Sequence, residues 1–157
     1  MDVNAARVAE LYAEALSRWR PTAADVGELR AVRGDLRRVF AVMRQDPDAG
    51  SRMLNDALAR YRALPRISTG HDAPHLHFEA AGEGLVHWLS VSMLMAVVLF
   101  VCDGNAARLG LCASRNCRRA FVDRSKNARK IYCSDACAHR ESVAAYRARR
   151  RQGGPDA

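Results

Sequence analysis

Four cysteines in the last third of the chain constrain its fold more than any other feature. Cys112 and Cys117 are separated by four residues, Cys133 and Cys137 by three, and fifteen residues lie between the two pairs. Two close pairs at this separation can bring four sulfurs to about 2.3 Å from one Zn²⁺. Because four thiolates leave no coordination position for water, the spacing predicts one structural zinc ion and no catalytic one.

The residues between the two cysteine pairs predict a knuckle followed by a β-hairpin. Residues 114–116 can turn the chain between the first two sulfurs. Residues 120–122 predict a strand, residues 123–127 a turn, and residues 131–132 the returning strand.

A helix is expected to carry the last zinc ligand. Ser134 can cap a helix that starts near Asp135 and includes Cys137. We expect Val143 and Tyr146 of this helix to pack on the hairpin. Knuckle, hairpin and C-terminal helix together predict a treble-clef-like finger.

The charge of the chain is concentrated in the same third. The 157 residues include 25 Lys and Arg against 17 Asp and Glu, for a net charge of +8. Residues 1–104 hold 12 basic and 13 acidic side chains, whereas residues 105–157 hold 13 basic and 4 acidic ones. A cationic module organised by zinc is expected to bind a polyanion, with duplex DNA preferred because a helix can enter its major groove.

The predicted DNA contacts are basic residues that follow the knuckle, lie at or next to the hairpin turn or lie on the final helix. They are Arg118, Arg119, Arg124, Lys126, Arg129, Lys130, Arg140, Arg147 and Arg151. Arginine suits this purpose because its planar fork matches phosphate oxygens and the edge of guanine.

The region before the finger predicts a helical domain. Apolar residues recur at three- and four-residue intervals over residues 8–19, 26–43 and 53–64. These patterns predict three amphipathic helices, and Thr22 with Asp25 predicts a capping box at the start of the second. This domain could form a homodimer, although core packing accounts for its apolar stripes.

A short strand is expected between these helices and the next apolar stretch. Alternation over residues 75–78 predicts the strand, which could pair with the segment around Ile67. His71, His75 and His77 could gather a metal, but they lack helical spacing and nearby carboxylates. We expect them to be exposed loop histidines.

Residues 85–102 are the most apolar segment, with no formal charge. Their length would permit a membrane span, but interspersed histidine and serine residues and the absence of an aromatic belt favour a buried core helix. We expect the helix to stop at Gly104 and Cys102 to be buried and inert at its end. Residues 152–157, rich in Gly and Pro, predict a disordered tail.

The finger residues resemble a known family, the CGNR zinc finger, which is named for a Cys-Gly-Asn-Arg tetrapeptide. The resemblance covers residues 109–151 and rests on Leu111-Cys112, Cys117, Phe121-Val122-Asp123-Arg124-Ser125-Lys126-Asn127, Tyr132-Cys133-Ser134, Cys137, Arg140, Val143 and Tyr146-Arg147-Ala148-Arg149-Arg150. It implies that the four paired cysteines are the zinc ligands and that the finger is the DNA-binding part of a bacterial transcription regulator. The preceding helical region resembles the ABATE domain.

The tetrapeptide itself departs from the family pattern. Here it reads Cys137-Ala138-His139-Arg140, so Arg140 would be the signature arginine while glycine and asparagine are replaced. Any role of those two residues in backbone contact or side-chain hydrogen bonding is therefore altered in this chain.

Together these observations predict a helical domain over residues 1–104 joined to a zinc finger over residues 109–151. We expect a cytoplasmic, DNA-binding transcription regulator and not an enzyme, since the sequence holds no nucleophile paired with a base and no phosphate-cradling glycine loop. Two alternatives stay open: a zinc-stabilised module that binds an acidic protein, and a thiol redox sensor in which Cys102 joins the finger thiols. No small-molecule effector can be identified from the sequence.

Overall fold

The computed structural model describes residue 13, residues 16–69 and residues 74–152. Over these residues the protein is mainly helical, with two pairs of short antiparallel strands. The chain divides into two compact units: unit 1 comprises Met1–Leu36 and Leu54–Leu99, and unit 2 comprises Arg37–Met53 and Phe100–Ala157. Unit 2 therefore combines the cysteine-bearing third with a helical segment from earlier in the chain. The sequence-based division at residues 104 and 109 stays a prediction.

The first two predicted helices are described to different extents. Most of the first, including residues 8–12, lies outside the described residues, and Leu16 is helical. The second is α1, Ala23–Val42. The backbone N–H of Asp25 donates to Thr22 Oγ1 at 3.3 Å, and the N–H of Thr22 donates to Asp25 Oδ2 at 2.6 Å. These reciprocal bonds confirm the predicted capping box.

Helix α2, Pro47–Arg60, leads into the first strand pair. Strand β1, Ala63–Ser68, pairs antiparallel with β2, His75–Ala80, and Ile67 lies opposite Leu76, which confirms the predicted pairing. The expectation that Leu64 continues a helix is wrong, because it lies in β1.

The histidines expected in a loop lie elsewhere. His75 and His77 are exposed, as expected, but they belong to strand β2. His71 lies outside the described residues.

Unit 1 includes helix α3, Leu85–Phe100, up to Leu99. Its buried apolar side chains are Val32, Leu54, Ala57, Leu85, Val86, Val91 and Leu94. Within this unit the buried Asp35 accepts hydrogen bonds from Arg60 at 2.8 Å and from the Tyr61 hydroxyl at 2.9 Å. The carboxylate is thus paired where burial would otherwise be costly.

One helical stretch within the described residues, Leu85–Arg108, has the length and hydropathy to cross a membrane. Length and composition alone do not distinguish a membrane span from the core helix of a soluble protein. Five residues of α3 are buried in the protein, all of them in its first ten positions.

The end of α3 differs in one respect from the prediction. The helix passes into a wider turn over Val101–Asn105, where Gly104 adopts a φ of 79°, so the predicted stop at Gly104 is confirmed. The expectation that Cys102 is buried is wrong, since this residue is exposed. It follows the last residue of α3 closely, where the wider turn leaves the side chain open to solvent.

In unit 2, strand β3, Leu109–Leu111, pairs antiparallel with β4, Ala120–Val122, and helix α4, Asp135–Gln152, follows. The strand predicted at residues 131–132 is absent from the described secondary structure, because β4 pairs with β3. Gly110 is buried opposite Phe121, and a Cβ there would lie 3.3 Å from the ring. Gln152 ends α4, and residues 153–157 of the predicted tail lie outside the described residues.

Candidate metal centre

The first cysteine pair lies in the connection between β3 and β4. Cys112 directly follows β3, and its N–H donates to the carbonyl of Arg119 at 2.9 Å, which extends the strand pairing by one step. The N–H of Cys117 then donates to the carbonyl of Ser114 at 2.9 Å. This bond closes the tight turn expected of a knuckle, so both sulfurs of the pair face the same side of the turn.

The second pair lies at the start of α4. The N–H of Cys137 donates to the Ser134 hydroxyl at 3.3 Å and to its carbonyl at 3.1 Å. Ser134 therefore caps the helix as predicted and satisfies donors at the helix start. Cys133 precedes the cap and Cys137 lies in the first turn, which brings the two sulfurs to 3.7 Å from each other.

All four sulfurs form one cluster. They lie within 4.8 Å of one another, and the Sγ atoms of Cys117 and Cys133 are 3.7 Å apart. Zn–S bonds of about 2.3 Å at tetrahedral angles place sulfurs ~3.8 Å apart. A disulfide would need sulfurs at about 2.0 Å. The distances therefore fit one structural zinc ion and exclude a disulfide between these atoms.

Burial and sulfur crowding act differently on two of the thiols. Burial raises the pKa of Cys133, and the neighbouring sulfurs of Cys117 and Cys137 add to this, so that its pKa is about 12. At Cys112 burial also opposes ionisation, but N–H groups of Cys133 and Ser114 outweigh it and lower the pKa to about 7. Four thiolates at these separations need a compensating cation, which Zn²⁺ supplies.

Arg140 belongs to the immediate surroundings of the cluster. Its Nη2 donates to Cys137 Sγ at 2.9 Å, one helical turn along α4. A guanidinium here offsets part of the net −2 charge of a zinc ion with four thiolates. The sequence predicted Arg140 as a DNA contact, whereas the geometry gives it a bond to a zinc ligand.

The comparison with known families agrees with this geometry. Residues 108–150 match the family model of the CGNR zinc finger. This segment is a CGNR zinc finger. Its bounds agree within one residue with those expected from the sequence. Among curated proteins, none matches the chain significantly.

All of the predicted DNA-contact residues are exposed, eight of them within the matched CGNR finger and Arg151 one residue beyond it. They are Arg118, Arg119, Arg124, Lys126, Arg129, Lys130, Arg140, Arg147 and Arg151. The first two follow the knuckle, the next four lie between β4 and α4, and the last three lie on α4. Val143 is half-buried and Tyr146 is 54% exposed, and the expected packing of these two residues on the hairpin stays a prediction.

Sequence reasoning missed the residue that organises the loop between β4 and α4. Asp123 is fully buried, and its carboxylate accepts bonds from the N–H of Ser125 at 2.9 Å, the Ser125 hydroxyl at 2.6 Å and the N–H of Lys130 at 2.7 Å. These bonds, led by that of the Ser125 hydroxyl, lower the pKa of Asp123 to about 2. The Asp-x-Ser pattern is typical of an Asx turn, in which the aspartate side chain accepts a bond from the backbone two residues on. This pattern could have identified Asp123 from the sequence.

The segment Arg37–Met53 holds the same loop from outside the family match. Arg44 Nη1 donates to the carbonyl of Lys130 at 2.8 Å, and its Nη2 lies 3.8 Å from Asp123 Oδ2. Its guanidinium also lies 5.9 Å from the centre of the Phe121 ring. Arg37 donates to the carbonyl of Arg118. The zinc finger is therefore packed on residues that come about 80 positions earlier in the chain.

The bond from Arg140 leads to a prediction about zinc affinity. We expect Arg140→Ala to weaken zinc binding roughly 10- to 100-fold, because removal of an outer hydrogen-bond donor to a metal ligand typically has this effect. Competition with a chromophoric chelator measures the change. Arg147→Ala is the matched control, because Arg147 lies on the same helix and, among the described residues, makes no hydrogen bond to a cysteine sulfur. Equal zinc affinities for the two variants would contradict the role given to Arg140.

Proposed function

We propose that the zinc finger binds duplex DNA and that the protein regulates transcription. One observation carries this proposal: the nine basic side chains predicted to contact DNA are all exposed on a single zinc-organised unit. Phosphates of duplex DNA supply the regular negative charge that such a surface attracts. A zinc finger of this kind is typical of soluble proteins, and we place the protein in the reducing cytoplasm, where thiols persist.

The acidic side chains of the finger do little to neutralise this surface. Among residues 16–69 and 74–152, one acidic side chain lies at ion-pair distance from any of the nine basic residues. It is Asp135, whose carboxylate lies 3.9 Å from Lys130 Nζ. Asp123 and Glu141 are occupied by hydrogen bonds inside the finger. Apart from Lys130 and from Arg140, which donates to a cysteine sulfur, the guanidinium and ammonium groups of the nine are thus available to phosphates.

The order of elements supports a treble-clef-like finger. A knuckle between β3 and β4 supplies two sulfurs, and the start of α4 supplies the other two. Such a finger holds its helix by one end and leaves the rest of the helix exposed. Because an exposed α-helix fits the major groove, α4 would carry Arg147 and Arg151 towards the DNA.

Salt dependence tests the proposal. We expect affinity for a mixed-sequence duplex to fall steeply with salt, because phosphate contacts release counterions. Arg124→Ala and Arg147→Ala should each flatten the slope of log affinity against log salt by about one unit. Both are cleaner probes than Arg140, which also contacts a zinc ligand. Fluorescence anisotropy across a salt series measures the slopes, and Arg30→Ala, an exposed arginine of unit 1, is the control.

A flat salt response for the zinc-loaded protein would contradict the proposal. Binding to an acidic protein that duplex DNA does not displace would then favour the interaction-module alternative. Identical slopes for the control and for both finger variants would show that these arginines do not contact phosphate.

A further inference from the structure

The knuckle and helix α4 enclose a cleft of about 510 Å³ within unit 2. The knuckle contributes Ser114, Arg115 and Asn116. The helix contributes six lining residues, His139, Arg140, Glu141, Val143, Ala144 and Arg147. Arg140 and Arg147 are among the DNA contacts predicted from the sequence, whereas Arg115, Asn116 and His139 are not, so the cleft extends the predicted surface to the knuckle.

Hydrogen bonds inside the finger hold the two walls of the cleft together. Glu141 Oε1 accepts a bond from the Ser114 hydroxyl at 2.8 Å and from the N–H of Arg115 at 3.0 Å. The bond from Ser114, followed by that from Arg115, lowers the pKa of Glu141, so this carboxylate stays ionised at neutral pH. The zinc ligands Cys117 and Cys137 belong to the knuckle and to α4. Since the metal site joins these two segments, the cleft does not need a bound ligand to form.

The polar groups that line the cleft favour an anion. Three arginines and one glutamate line the cleft, and the glutamate carboxylate already accepts two bonds from the knuckle. The side chains of Arg115 and Arg147 are exposed, and Asn116 adds an amide. Guanidinium groups that approach from two different segments can donate to several oxygens of one phosphate.

The apolar part of the cleft favours a phosphate that belongs to a nucleotide chain. Val143 and Ala144 lie between Arg140 and Arg147 on one face of α4, since positions three and four apart on a helix are neighbours. A free phosphate would leave these methyl groups without a partner. A backbone phosphate brings an adjoining deoxyribose, whose carbon face could pack against them.

We propose that this cleft binds one backbone phosphate of duplex DNA. Arg115 and Arg147 donate to the phosphate oxygens, Asn116 donates from the knuckle, and Val143 with Ala144 contacts the adjoining sugar. The proposal rests on the DNA-binding function given above and adds the knuckle to the DNA-contacting surface. It makes Arg115 a phosphate contact that the sequence pattern did not identify.

Arg115→Ala in the full zinc-loaded chain tests the cleft. We expect roughly tenfold weaker binding to a mixed-sequence duplex, and a salt slope flatter by about one unit. Zinc content and thermal midpoint should stay unchanged, since the Arg115 side chain is exposed and its N–H bond to Glu141 does not need the side chain. Arg52→Ala, an exposed arginine of unit 2 outside the cleft, is the matched control.

NMR titration of the wild-type chain distinguishes the sources of phosphate. Side-chain signals of Arg115 and Asn116 should shift with duplex DNA and shift less with inorganic phosphate at the same phosphate concentration. If DNA binds with a steep salt slope that Arg115→Ala leaves intact, the cleft proposal is overturned and the DNA-binding proposal survives. If the wild-type chain does not bind DNA and only inorganic phosphate shifts these signals, both proposals are overturned, because the cleft then binds a free anion. Signals that respond to neither ligand overturn the cleft proposal, and the salt slope alone then decides whether the finger binds DNA.

Discussion

Removal of zinc from the reduced protein is expected to unfold residues 110–151 while unit 1 stays folded. The zinc finger has a small apolar core, and its two walls meet through the four sulfurs of the metal site. Zinc binding should therefore supply much of its folding free energy, on the order of 10 kcal/mol. Hydrogen exchange followed by mass spectrometry, before and after chelation, reports the loss of protection peptide by peptide.

Two cysteine variants, one at a zinc ligand and one outside the cluster, test this prediction. Cys133→Ser should lose zinc and show the same unfolding without chelator, because it removes one of the clustered sulfurs. Cys102→Ser should leave zinc content and protection unchanged, because this exposed cysteine lies outside the cluster. Full protection of residues 110–151 in the chelated protein would show that the metal does not hold the finger together.

Asp123→Asn is expected to destabilise the zinc finger strongly, with a fall in thermal midpoint of roughly 10 °C. The buried carboxylate accepts bonds from three donors on Ser125 and Lys130, and Arg44 lies 3.8 Å away. An asparagine amide would turn a donor towards one of these donors and leave Arg44 without a charged partner. Thermal unfolding of the zinc-loaded protein, followed by circular dichroism, measures the change. Asp135→Asn is the control, since the Asp135 side chain is fully exposed.

The penalty of Asp123→Asn should depend on pH in a defined direction. The folded-state pKa of Asp123 is about 2, below the ordinary value of about 3.9, so the ionised form stabilises the fold. Its contribution is complete above about pH 4 and disappears as the pH falls towards 2. The difference between wild type and variant should therefore be equal at pH 8 and pH 5. A difference that shrinks between those two values would contradict the assigned pKa.

The parts of the fold that follow local rules could be predicted from the sequence. Cysteine spacing identified the four clustered sulfurs, because each pair needs only a short turn to bring its sulfurs together. The Thr22 cap and the Ser134 cap were predictable for a similar reason, since each bond spans three residues. The pairing of Ile67 with Leu76 followed from the alternation of apolar residues.

The parts that depend on distant contacts could not be predicted in this way. Strand β4 pairs with β3 on the far side of the knuckle, while the Ile131 carbonyl accepts a bond from Ala113 at 2.9 Å. A short apolar segment does not indicate whether it pairs with the strand before it or with the segment after it. Arg44 contacts Lys130 across 86 residues of sequence, and no local pattern marks that arginine. The bond from Arg140 to the sulfur of Cys137 spans only three residues, but the sequence does not show whether the guanidinium turns back to the sulfur or out to solvent.

Zinc content with X-ray absorption at the zinc edge tests the central claim most directly. For the purified, reduced protein we expect one zinc per chain, surrounded by four sulfurs at about 2.3 Å and by no nitrogen or oxygen neighbour. A substoichiometric metal content, or a zinc shell that includes nitrogen or oxygen, would contradict the four-cysteine site on which the DNA-binding proposal depends.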